Sequence, residues 1–164
     1  MKDRNAFYSM GCYGWHKGFY VDEDFEKTLW NINYSDYGEV PEDDDMFPYD
    51  SAHQLLCGSC NIFALALQKV LGYNIYIIEQ IKGNGFHAFC QVYKDRRWHY
   101  IDARGITTSF DEFMDIAGRF VKEEFIIQLA TDEDIKEWEN DDYFEEAFAF
   151  AGAVIEKYKE CYTL

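Results

Sequence analysis

Between Ser59 and Ala103 the hydrophobic period of the chain changes once, and that change fixes the order of elements any fold must accommodate. Cys60, Phe63, Ala64, Leu67, Val70 and Leu71 recur at the spacing of one helical face, Asn61, Gln68 and Lys69 fall elsewhere, and Gly72 supplies a stop. This predicts a buried helix with a cysteine in its first turn. Three strand-like runs follow, Tyr73 to Gln80, Phe86 to Tyr93 and Arg97 to Ala103, divided by Lys82-Gly83-Asn84-Gly85 and by the polar stretch from Lys94 to Arg97. A helix followed by an antiparallel meander makes this an α+β core.

The flanks are less regular. A short helix is expected around Ser109 to Ile116, a further strand from Phe120 to Leu129, and a terminal helix whose apolar stripe is Phe144, Ala147, Phe148, Ala151, Val154, Ile155 and Tyr158. Residues 34–50 carry seven acidic residues, both prolines and no Lys or Arg, so they read as a loop or extended arm. Ahead of it, Tyr8, Tyr13, Trp15, Phe19, Tyr20, Phe25 and Trp30 make the start too aromatic for a disordered tail. It is expected to fold back on the rest, in a secondary structure the sequence does not specify. The 164 residues provide for one packed core rather than two domains. Within that single domain, 1–50 form an aromatic and acidic arm, 51–130 the core and 131–164 an acidic C-terminal helix.

Composition narrows the partners. Fifteen Lys and Arg against 31 Asp and Glu give a formal charge of −16, which disfavours direct binding to nucleic acid or to an anionic membrane. No run approaches the roughly 18 apolar residues of a membrane span, and the first residues lack a secretory apolar region, so a cytoplasmic location is expected. The five cysteines, an odd number without dense spacing, fit free thiols in a reducing compartment. Oligomeric state is not legible.

A thiol acts as a nucleophile only as thiolate, and the unsatisfied N–H groups at a helix N-terminus favour that charge. Cys60 occupies that position, and it requires a base and a group to orient the base. His87 and Asp102 can supply both. If Lys94 and Asp95 are the two tip residues of the hairpin, Tyr93 pairs with Arg96 and His87 lies directly opposite Asp102, their Cβ atoms about 4.5–5.5 Å apart. A four-residue tip keeps the two on one face, and a three-residue tip separates them.

The segment from Gln54 to Ala64, QLLCGSCNIFA, resembles the surroundings of the nucleophile in papain-like peptidases, where a glutamine six residues before the cysteine helps form the oxyanion hole. The remainder is similar to the transglutaminase-like core: a cysteine at a helix start, Gly72-Tyr73 opening a strand, then His87-Ala88-Phe89 and Tyr100-Ile101-Asp102-Ala103-Arg104-Gly105 on successive strands. Asn61, Leu55 and Ala103 depart from the tryptophan, glycine and proline those families carry at the matching places. The resemblance covers Gln54 to Gly105. It implies a Cys60–His87–Asp102 triad with Gln54 as oxyanion donor, needing neither cofactor nor metal. It further implies acyl transfer or hydrolysis at an amide or peptide bond through a Cys60 thioester, on a peptide or protein substrate.

Plainer readings stand beside this one. Cys57, Cys60 and Cys90 can be small core hydrophobes, and Asp102 a structural carboxylate paired with Arg104. Cys57, Cys60, His87 and Cys90 have the spacing of a zinc site only if residues 87–90 form a tight turn, because residues three apart on a strand face opposite ways. His53 and His99 read as surface or packing residues. A different function class also fits the charge: a non-catalytic, nucleic-acid-mimicking inhibitor of the anti-CRISPR or anti-nuclease type, binding a basic protein. The acidic run at 42–45, and nine acidic residues against one lysine from Thr131 to Glu146, motivate it.

Overall fold

The computed structural model describes residues 15–18, 29–40, 47–122 and 124–164. The aromatic start, apart from the backbone of one short strand and Trp30, and the acidic run at 42–45 lie outside them.

Six strands form one antiparallel sheet in the order β1-β5-β4-β3-β2-β6. They are β1 (Trp15–Gly18), β2 (Ile75–Gln80), β3 (Phe86–Lys94), β4 (Arg97–Asp102), β5 (Gly105–Thr107) and β6 (Phe125–Leu129). The expected meander is β2-β3-β4; β5 extends it by one strand, and β1 joins on the outside. Among the described residues there are five α-helices, α1 (Cys60–Leu71), α2 (Phe110–Phe120), α3 (Asp132–Trp138), α4 (Phe144–Lys157) and α5 (Lys159–Tyr162). The fold is thus α+β, with α1 on an antiparallel sheet and C-terminal helices beyond it.

Strand alternation divides the sheet into two faces. Ile75, Ile77, Ala88, Cys90 and Ile101 pack under α1, while Ile78, Phe89, Phe113, Ala117 and Val121 form a second cluster under α2. Every residue of α1 from Cys60 to Leu67 is buried, because the sheet covers one side of the helix and α4 the other. Each large apolar side chain there contributes about 1.5–3 kcal/mol of burial.

Three expectations are corrected. The β3–β4 tip is Asp95-Arg96 rather than Lys94-Asp95: both tip residues have positive φ (53° and 65°), as a tight primed turn demands, and Lys94 pairs with Arg97. The register is therefore the one that a four-residue tip would also give, with the same faces preserved. Phe120 ends α2 instead of opening a strand, because Phe113, Ala117 and Phe120 share the helix face that meets the sheet. The expected terminal helix is three helices. The Thr131–Asp134 capping box starts α3, and Tyr143 in the left-handed region separates it from α4.

Candidate active site

Cys60 is positioned by how α1 lies along β3. The Ala88 N–H donates to Cys60 Sγ (3.4 Å), and the Cys90 thiol donates to the Ala64 carbonyl (3.6 Å). Four helical residues advance about 6 Å and two strand residues about 6.6 Å, so helix and strand stay in step over this stretch. That match sets the nucleophile candidate beside the residue following His87. Unlike its neighbour one position on, His87 points to the α2 face, within 5.9 Å of the Phe113 ring centroid and stacked on Phe89 (6.4 Å) and Phe120 (6.2 Å).

Nε2 of His87 lies 3.3 Å from Asp102 Oδ2. Nδ1, the nitrogen turned away from that carboxylate, is buried and makes no hydrogen bond of ordinary geometry. Asp102 has stronger partners. Arg104 donates from Nε to Oδ1 (2.9 Å), from a terminal nitrogen to Oδ2 (2.6 Å) and from its backbone N–H to Oδ1 (3.0 Å). Asp102 therefore does both things the sequence allowed: it pairs with Arg104 and it reaches His87. Arg104 is fully buried (0% exposed), as is His87 (0%), while Cys60 retains 7%.

The electrostatics follow from these contacts. Burial pushes the Cys60 thiol up, but the positive charge of the nearby His87, helped by the Ala88 and Asn61 N–H groups, wins and brings it below an ordinary thiol. Burial depresses the His87 imidazole, and the Cys60 charge with the Asp102 hydrogen bond outweighs that, raising it to about 9. Burial likewise opposes ionisation of Asp102, yet the Arg104 guanidinium holds it well below the usual carboxylate range. Cys90 shows the contrast: fully buried with no such partner, its thiol is pushed far up.

Gln54 sits in the 3-10 turn Ala52–Leu55, half-buried, with its amide against Gly58 in the loop before Cys60. Gly58 has φ of +154°, and a Cβ there would come within 2.2 Å of Gln54 Nε2. Only glycine gives the amide that place. Ser59, between them, is hydrogen-bonded to the Tyr49 hydroxyl (2.7 Å).

Several contributors escaped the sequence reading. Arg104 entered it only as a structural partner for Asp102. Phe113 and Phe120, which wall in His87, were legible in principle as residues seven apart on one helix face. Tyr162, whose hydroxyl donates to the Ala103 carbonyl (3.0 Å), ties α5 to the Asp102–Arg104 turn, and nothing local announces it. His53 packs flat on Trp30 (4.0 Å) and His99 is buried on the face opposite Asp102, as packing residues. Because β3 runs unbroken through His87 and Cys90, the tight turn a zinc site would need is not formed. Among the described residues no three potential ligands gather.

The arrangement has the parts of a nucleophilic centre: a thiol with a lowered pKa at a helix start, an imidazole with one nitrogen oriented, and a fixed carboxylate behind it. Clefts of about 340 Å³ (Lys94, His99, Leu164) and 490 Å³ (Leu65, Ile135, Phe148) are lined by other residues. The chain matches no known protein family, no curated protein and no solved structure.

Proposed function

We propose that this protein is a transglutaminase-like thiol enzyme that cleaves or transfers at an amide or peptide bond through a Cys60 thioester. One observation carries the reading: Cys60 at the start of α1 lies against the residue after His87, and His87 in turn contacts Asp102 from a fully buried position. The thiol gives its proton to Nδ1 of His87, leaving a thiolate and an imidazolium. The thiolate attacks the substrate carbonyl, and the oxyanion is held by the Cys60 N–H and the Gln54 amide. Collapse expels an amine that takes the Nδ1 proton, and water or a second amine, deprotonated by the same imidazole, releases the acyl group.

The acidic surface supports a related preference. Asn61 donates to Asp141 (3.3 Å), which puts an exposed carboxylate next to the residue following the nucleophile and favours substrates or partner proteins with basic side chains. The inhibitor reading shares that surface and needs no chemistry at Cys60.

With 7% exposure, Cys60 is best probed by small electrophiles. Its alkylation by iodoacetamide at pH 6–7 is expected to outpace Cys161, whose thiol is pushed up by burial and Glu160, and to collapse in His87→Ala. An acyl adduct trapped on Cys60 from a peptide-amide pool would then define the substrate. Alkylation of Cys60 no faster than Cys161, together with salt-sensitive binding of a basic protein that survives Cys60→Ala, would replace the enzyme by the inhibitor.

A further inference from the structure

A buried arginine bound to a carboxylate behind a histidine is an uncommon expense, since an unpaired charge there is severely destabilising. Arg104 is fully buried and holds Asp102 through both carboxylate oxygens. Its terminal nitrogens also donate to backbone carbonyls in the first turn of α2, Glu112 O (3.2 Å) and Phe113 O (3.2 Å). The guanidinium is thus fixed from two sides, by the β4–β5 turn and by the helix whose Phe113 and Phe120 wall in His87. Of the contacts to Asp102 Oδ2, the one from His87 is the longest, at 3.3 Å, against 2.6 Å and 3.2 Å from Arg104. The carboxylate is set by the arginine first and offered to the imidazole second.

We infer that Arg104 is a positioning residue of the Cys60 centre: it locks the Asp102 rotamer and cancels its charge, so that His87 is oriented by a neutral acceptor pair rather than by a free carboxylate. This rests on the acyl-transfer reading for its purpose, though not for its measurement. A free carboxylate would stabilise the imidazolium strongly and make it a reluctant acid toward the leaving amine; a neutral pair orients the ring while leaving its proton transferable. Cys60 approaches from α1, β2 offers Ile78 across the strand pair, and α2 presents Phe113 and Phe120. The Glu112 carboxylate accepts from Thr107 Oγ1 (2.9 Å).

The alternative is that Arg104 merely staples the β4–β5 turn to α2. Imidazole ¹⁵N titration of His87 in the full chain separates the two roles, using wild type, Asp102→Asn, Arg104→Met and the double variant. Charge cancellation predicts that Asp102→Asn, leaving the guanidinium alone, lowers the His87 midpoint by about one pH unit or more. Arg104→Met is expected to raise it by a similar amount, and the double variant to return within about half a unit of wild type. If Arg104→Met does not fold, Asp102→Asn against the double variant decides, since only the arginine differs between them. Coincident midpoints in those two would overturn the inference and leave a staple. Slow, His87-independent alkylation of wild-type Cys60 would instead overturn acyl transfer, whatever the His87 midpoints do.

Discussion

Two glycine-to-alanine changes are expected to act in opposite directions, and the more informative is at Gly85. A Cβ built there lies 2.0 Å from the Phe120 carbonyl oxygen and 3.0 Å from its carbon, both backbone atoms. A carbon–oxygen contact opens at about 3.3 Å, so roughly 1.3 Å must be found by moving backbone. The hairpin end is held by the Gln80 N–H to Gly85 carbonyl bond (2.8 Å), and the end of α2 by the Val121 N–H to Ala117 carbonyl bond (2.9 Å). Separating them costs about 1–3 kcal/mol, as overpacking does. The same shift lifts Phe120 from the His87 ring, two residues from Gly85. A displacement near 1 Å at a reacting group can cost about 100-fold in rate.

Gly152, by contrast, lies inside α4 with nothing within 4 Å of where a Cβ would stand, so alanine there should stabilise by about 0.5–1 kcal/mol. Urea unfolding gives both free energies, and iodoacetamide kinetics at neutral pH give the reactivity of Cys60 in each variant. Stability and Cys60 alkylation both unchanged in Gly85→Ala would refute the claimed contact between the hairpin and α2 and, with it, the aromatic wall around His87.

Gly58→Ala should cost about 1–3 kcal/mol, because φ of +154° strains any side chain, and should displace Gln54, cutting acyl transfer by about 10²–10³-fold with little change in Cys60 alkylation, which needs no oxyanion donor; equal losses in both assays would argue against that role. Tyr162→Phe removes a hydroxyl that satisfies the buried Ala103 carbonyl and should cost about 1–3 kcal/mol in a urea melt, with a value near zero excluding α5 as a buttress. Asp102, with its folded-state pKa depressed, contributes stability that is present above its unfolded value of about 3.9 and is lost as pH falls through the folded value. The stability gap between wild type and Asp102→Asn should therefore narrow below about pH 4, and a constant gap would mean that folding leaves the Asp102 pKa unshifted, against the Arg104 pairing.

Elements with a periodic signal were legible along the chain. Residues 60–71 carry a helical stripe wherever they are placed, and β2, β3 and β4 alternate around turn residues, so helix, meander and the shared face of His87 and Asp102 could be read locally. The exact pairing of β3 with β4 could not, because Lys94, Asp95, Arg96 and Arg97 are all polar and tip geometry, with positive φ at Asp95 and Arg96, chose between registers two residues apart. Packing between distant segments settled that α1 would run in step with β3 and bring Cys60 Sγ to the Ala88 N–H. Packing also turned Arg104 inward. A lone arginine in a turn reads as a surface residue until a carboxylate and two carbonyls converge on it from separate elements, and that convergence depends on contacts between residues distant in sequence, which no local pattern encodes.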